Sequence, residues 1–260
     1  MHFPRQNLRT PGPTPVPDDI VQAMSEPMIN HRGPEFLELI NDSTEKLKQG
    51  FMTQHDLFIL TASGTGALEA SVVNTLSAGD EVIALTAGAF GDRFCDLAEA
   101  YGANVKRINF EWGSAIDPDI VRQELNKQPS VKAVMVTHNE TSTGIMSRVE
   151  EVRKAIDSAK HPALFMVDTI SSLGSYNYDH QKWKVDVSVG GSQKGLMLPP
   201  GLSFNVVSKK ALEASKSSKL PKSYWQWEQM LENNKNGFYP YTPAVNIMYG
   251  LNEAINMLLE

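Results

Sequence analysis

Leu57-Phe58-Ile59-Leu60-Thr61 is a short apolar run, and small and hydroxyl residues followed by a good helix former come directly after it, from Ala62 to Ala70. The same change, from an apolar strand to a turn to a helical period, recurs along the chain. Further strands are predicted at 81–85, 105–110, 131–136, 163–167 ending in Asp168, from Val185 in alternating valines, and at 202–207. Helical spacing is predicted from Asp18 through Met24, through Leu37, Leu39 and Ile40, and over 94–101, 117–125, 149–159, 209–217 and 244–259. Strand and helix alternate as in a βαβ series. The expected fold class is therefore α/β, a three-layer αβα arrangement with a mostly parallel sheet covered on both faces. In such sheets ligands bind beyond the carboxyl ends of the strands. Ser63 to Gly66, Gly88 to Gly91, His138 to Gly144, Asp168 and Lys194 all follow predicted strands and should share one rim.

Two stretches break the pattern. Pro4, Pro11, Pro13, Pro15 and Pro17 forbid helix in residues 1–17 and predict an extended arm lying on its own domain or on a partner. The aromatic and proline-rich segments 224–227 and 238–243 suit either an interface or plain core packing.

Composition narrows the function classes. The chain has 260 residues, 24 basic against 30 acidic, for a net charge of −6, which offers no basic footprint for nucleic acid. No apolar run reaches the length of a membrane span and no signal-peptide core precedes the first helix, so no membrane partner and a cytoplasmic location are expected. Cys95, the single cysteine, excludes an internal disulfide, and no metal site is expected.

Lys194 is the unusual residue. It follows Val185-Asp186-Val187-Ser188-Val189 and a Gly-Gly-Ser-Gln turn, and apolar neighbours come after it. A desolvated lysine amine with a lowered pKa is prepared to form a Schiff base. Pyridoxal phosphate needs such a lysine for its aldehyde, a carboxylate for its ring nitrogen, a polar cradle for its phosphate and a flat face over its ring. Lys194, Asp168, Ser63 to Gly66 and Phe90 supply these four. Taken singly, each has a plainer reading: Lys194 a surface lysine, Asp168 a helix cap or metal ligand, Phe90 a core residue, Thr141 a turn cap.

Met166-Val167-Asp168-Thr169-Ile170-Ser171-Ser172-Leu173, the Gly-Gly-Ser-Gln-Lys-Gly run ending at Gly195, Thr137-His138-Asn139-Glu140-Thr141-Ser142-Thr143-Gly144 and Ser63-Gly64-Thr65-Gly66 together resemble the class V aminotransferases of fold type I, and most of all the serine-glyoxylate aminotransferases. The likeness runs from Pro11-Gly12-Pro13-Thr14 to Tyr241-Thr242-Pro243-Ala244. It implies pyridoxal 5'-phosphate as cofactor, with Lys194 bonded to its aldehyde and Asp168 paired with its pyridinium nitrogen. Phe90 would stack on the ring, Ser63, Gly64, Thr65 and Gln193 would bind the phosphate, and Thr141 would bond the ring's hydroxyl side. Tyr239 and Thr242 match positions that reach the phosphate of the other subunit, so a homodimer with shared sites is implied. The implied reaction moves an amino group from L-serine to glyoxylate. Alanine or aspartate as donor, and a truncated cofactor-binding homologue without turnover, are the alternatives. The expected organisation is an arm over 1–17, a cofactor-binding large domain over 18–243, and at 244–260 the start of a helix leading to an absent C-terminal small domain. In the family that domain carries the arginine that clamps the substrate carboxylate; within this chain Arg32 is the substitute considered.

Overall fold

The computed structural model describes residues 6–236 and 238–260, so Pro4 of the expected arm lies outside the described residues. Seven strands form one sheet: β1 (Asp56–Leu60), β2 (Glu81–Thr86), β3 (Asn104–Asn109), β4 (Ala133–Thr137), β7 (Leu164–Asp168), β8 (Val187–Gly191) and β9 (Ser203–Val207). Their spatial order is β1-β9-β8-β7-β4-β2-β3. Every neighbouring pair is parallel except the two made by β9, which runs antiparallel to both β1 and β8. A separate ribbon of β5 (Asn139–Glu140) and β6 (Ile145–Met146) stands on the rim after β4.

Alternation along each strand feeds two cores. In β1, Leu57 and Ile59 join one cluster while Phe58 and Leu60 join the other; in β7, Phe165 and Val167 divide in the same way from Leu164 and Met166. The first face is covered by α1 (Asp18–Ala23), α2 (Pro34–Gly50), α5 (Pro118–Lys127), α6 (Val149–Ser158) and α9 (Val245–Leu259). The second is covered by α3 (Gly64–Thr75), α4 (Ala89–Ala100), α7 (Lys209–Ser217) and α8 (Trp227–Lys235). This is the three-layer architecture the periodicity predicts. The helix expected at 244–260 lies in the first core, where Met248, Leu251 and Ile255 are fully buried with α2 residues Phe36 and Leu47. Among the described residues, no helix is long and apolar enough to cross a membrane.

The aromatic segment before α8 is core on one side and surface on the other. Trp227 is fully buried and stacks on Phe58 at 5.9 Å, while Tyr224 is exposed and stacks on Tyr241. Trp227 Nε1 donates to Asn205 Oδ1 (3.2 Å), and Asn205 Nδ2 donates to the Ala67 carbonyl (3.1 Å). Asn74 of α3 donates to the Trp225 carbonyl and accepts from the Trp227 amide. These buried amides fix α3 against the sheet, and with it the turn that opens onto the rim.

Candidate active site

Six strands, all but β9, run in one direction and deliver their carboxyl ends to one edge of the sheet, and a cavity of about 190 Å³ opens there. Ser63, Gly64, Thr65, Phe90, Thr141, Asp168, Gln193 and Lys194 line it, which brings together eight of the ten residues singled out in the sequence. Register explains the meeting. Thr137 at the end of β4 pairs with Asp168 at the end of β7, and Asp168 pairs with Val189, two residues before the end of β8.

Asp168 is 3% exposed, and one carboxylate oxygen accepts the Ile170 amide at 2.8 Å. Burial raises its carboxyl to about 7, against the pull of the Ile170 amide; Glu140 adds to the rise, while Arg93 and Lys194 oppose it. A buried acid of this kind is stabilised as the anion by a cation brought into the cavity. Lys194 faces the same space. Burial lowers its amine from the ordinary value, and the Asp168 charge acts in the other direction.

The loop that carries Lys194 is tightly tied. Ser192 N donates to the Leu202 carbonyl and Leu198 N to the Ser192 carbonyl, while the Ser192 hydroxyl donates to the Pro199 carbonyl and receives the Leu202 amide. Met197 takes a left-handed backbone (φ 56°), which a residue with a Cβ adopts only where the surroundings impose it. Gly195 is required by close approach: a Cβ there would run into the Leu173 carbonyl and lie 2.5 Å from the Ser175 hydroxyl.

At the opposite wall α3 begins. Its N-cap Ser63 makes no side-chain capping bond to the helix, so its hydroxyl remains available to a ligand. The Gly66 amide donates to the Ser63 carbonyl (2.9 Å), while the amides of Gly64 and Thr65 at the helix start have no intrahelical acceptor and attract an anion. Gln193 lines the same cavity, and its buried Oε1 has no partner among the described residues. Turned about its last bond, that amide presents an NH₂ donor instead. Hydroxyls, open amides and an unpartnered carboxamide are a donor set that suits a phosphate, and with Asp168 and Lys194 the residues present fit pyridoxal phosphate.

Phe90 stands in the first turn of α4, and the reason lies fifty residues away. The Glu140 carboxylate, 3% exposed, accepts the amides of Phe90 (3.1 Å), Gly91 (3.0 Å) and Ser142 (3.1 Å) and the Ser142 hydroxyl (2.6 Å). A carboxylate in that position satisfies the open donors of the helix end and complements its dipole. It also explains why α4 starts at Ala89, five residues before the helix predicted from the apolar period. The Arg93 guanidinium sits 4.9 Å from the centre of the Phe90 ring.

Arg93, Asn139, Ile170 and Ser171 line the cavity and were not singled out in the sequence. Three of them lie within or beside quoted motifs, and Arg93 lies three residues after Phe90; the rim position itself was the available signal. Arg32 is not there. It is exposed in the turn before α2, where its amide bonds the Asn30 side chain, so it does not supply the cavity's guanidinium. Tyr239 and Thr242 do not line this cavity either. Tyr239 is 5% exposed and packs edge-on against Phe36, and Thr242 is exposed. Cys95 is fully buried in α4, and burial pushes its thiol up to about 12, which makes it a packed apolar group and no nucleophile.

A sequence profile described as Aminotransferase class-V matches residues 7–260. The serine–glyoxylate aminotransferase of Methylorubrum extorquens is 42% identical over 264 residues, which cover 98% of this chain and 66% of that protein. The L-aspartate–glyoxylate aminotransferase of Paracoccus denitrificans is 39% identical, with 96% and 64% covered. Among solved structures, the alanine–glyoxylate aminotransferase of Nostoc sp. is similar with a TM-score of 0.93 at 30% identity, over 99% of this chain and 68% of that one. The chain spans about two thirds of the length of these relatives.

Proposed function

The chain belongs to the class V aminotransferase family, and we propose that it is the cofactor-binding part of a pyridoxal-phosphate enzyme that moves the amino group of L-serine to glyoxylate, giving hydroxypyruvate and glycine. The observation that carries the reading is the meeting of one lysine amine and one buried carboxylate in a single rim cavity, opposite an anion-binding helix start. The serine donor rests on the relatives named for it at 42% and 43% identity.

When bound, the cofactor supplies an aldehyde that takes up the substrate amine and a protonated ring that accepts the electron pair left on the substrate Cα. The chain's own residues do the rest. Lys194 would hold the aldehyde, and its Nζ, when free, would be the group that takes the Cα proton and returns one. Burial lowers its proton affinity, which favours the free amine that this work needs. Asp168 holds the ring nitrogen's proton in place by charge, and the cation it meets lowers its own raised pKa. Phe90 presents the flat face, and Glu140 keeps it there. Ser63, Gly64, Thr65 and Gln193 bind the phosphate, and Thr141 bonds the ring's hydroxyl side.

A homodimer with shared sites completes the proposal. Thr242 is exposed and open to a second copy, and the Tyr239 hydroxyl, which makes no hydrogen bond among the described residues, would reach a second copy's cradle only by leaving its packing against Phe36. A deciding experiment loads the protein with pyridoxal phosphate, fixes it with borohydride and maps the modified peptide. Attachment at Lys194, lost in Lys194→Ala, is expected. Single-turnover release of hydroxypyruvate from L-serine, compared with pyruvate from L-alanine and oxaloacetate from L-aspartate, then identifies the donor. Attachment at any other lysine would overturn the assignment.

A further inference from the structure

The proline-rich arm does more than lie on the domain. Lys194 Nζ donates to the Pro11 carbonyl at 3.0 Å. Three residues on, the arm is tied to the main chain of the same loop: Thr14 N donates to the Gln193 carbonyl (3.1 Å) and the Thr14 hydroxyl to the Lys194 carbonyl (3.2 Å). Between these contacts sits Gly12, at φ 151°, a conformation that residues with a Cβ rarely adopt. A Cβ added there would lie 2.6 Å from Lys194 Cδ and 2.7 Å from Cε, and closer still to Nζ. The arm thus holds the lysine's backbone, accepts from its amine and leaves out the one side chain that would collide with its stem. Fixed φ values at Pro11 and Pro13 hold the intervening carbonyl and glycine in place.

We propose that Pro11 to Thr14 is a positioning segment for Lys194, in which the Pro11 carbonyl is the resting acceptor of the amine and Gly12 is the clearance through which the side chain turns into the cavity. This rests on the reading of Lys194 as the cofactor's partner. Its logic is general: a lysine that must leave and rejoin a covalent partner needs a defined place to wait, and an ammonium with three donors and no acceptor is held by a carbonyl. A carbonyl there also favours the charged amine, so it acts against the lowering that burial imposes.

The test uses the full chain, cofactor-free, as wild type, Gly12→Ala and Thr14→Val. Reductive methylation with formaldehyde is followed at Lys194 against pH by peptide mass spectrometry, with Lys235 as reference, and borohydride-fixed pyridoxal phosphate at Lys194 is measured in parallel. Circular dichroism and melting establish that each variant is folded. In Gly12→Ala the pH midpoint of Lys194 labelling should fall by about half a unit or more as the ammonium loses its acceptor. The Lys235 midpoint should stay where it is, and fixed pyridoxal phosphate should drop roughly tenfold. Thr14→Val, which loosens the arm without adding bulk beside the lysine, should move the midpoint in the same direction by less. It decides the matter if Gly12→Ala does not fold. An unshifted Lys194 midpoint in the folded variants overturns the proposal. If wild-type Lys194 takes up no pyridoxal phosphate, the functional reading falls, and the midpoint shift still decides the role of the arm.

Discussion

The Glu140 carboxylate receives the main-chain amide of Phe90 at 3.1 Å, so a residue at the end of β5 determines where the aromatic face of α4 stands. Glu140→Gln keeps the shape and removes the charge from a buried helix end. Charge-assisted bonds of this kind contribute about 2 kcal/mol, so the variant's melting temperature should fall by roughly 5 °C. Its retention of pyridoxal phosphate on dialysis should weaken as well. Unchanged melting and retention would show that α4 does not depend on this contact.

Phe90 supplies contact area and ring geometry but no polar group. Replacing it with Leu should weaken cofactor retention roughly fivefold, since ring stacking contributes about 1 kcal/mol beyond burial. Phe90→Trp should retain binding. Equilibrium dialysis of the two variants measures both. Equal binding in Leu and wild type would remove Phe90 from the ring's face.

The buried carboxyl of Asp168 makes the cofactor-free protein pH-dependent in a defined sense. Its folded pKa of about 7 stands above the ordinary 3.8, so between those values the native state binds more protons than the unfolded chain. The contribution is complete below about 3.8 and is lost as pH rises through about 7, up to roughly 4 kcal/mol for such a shift. Buried imidazoles act in the opposite sense. Burial holds His138 down to about 4 and His180 to about 3, so stability present above 6.5 is lost as pH falls through those values. Asp168→Asn removes only the first effect. Denaturant midpoints should therefore show the variant gaining on wild type from pH 4 to 8, and falling more steeply than wild type on acidification from 6.5 to 4. A constant difference across that range would contradict the assignment.

Trp227 joins α8 to the sheet and, through Asn205, to the start of α3. Trp227→Ala should cost about 3–5 kcal/mol by lost packing and an orphaned Asn205 oxygen. The melting temperature should fall by roughly 10 °C. Urea titration gives the free energy directly, and a loss below about 1 kcal/mol would mean that the cavity collapses around the vacated ring.

Much of the fold was legible because burial on both faces of a parallel sheet leaves dense apolar runs, and the rim was legible because chemistry-bearing residues follow those runs. Strand direction was not. Leu202 to Val207 reads the same in either sense, so nothing in it announces that β9 runs against its neighbours. Glu140 sits among hydroxyl residues and looks solvated; its work is to cap a helix that begins at Ala89, a contact that no local spacing encodes. Helix α8 hid behind the aromatic cluster that buries it, since Trp227 serves the core and Tyr224 the surface within four residues. Arg32 drew attention by its charge, whereas Arg93 reaches the cavity by following Phe90 on the same helix.

Because β9 turns back beside β8, the Lys194 amine is mounted on a closed buckle whose two legs belong to adjacent strands. With the loop so tied, rotation about the bonds of the Lys194 stem sets how far its amine reaches into the cavity.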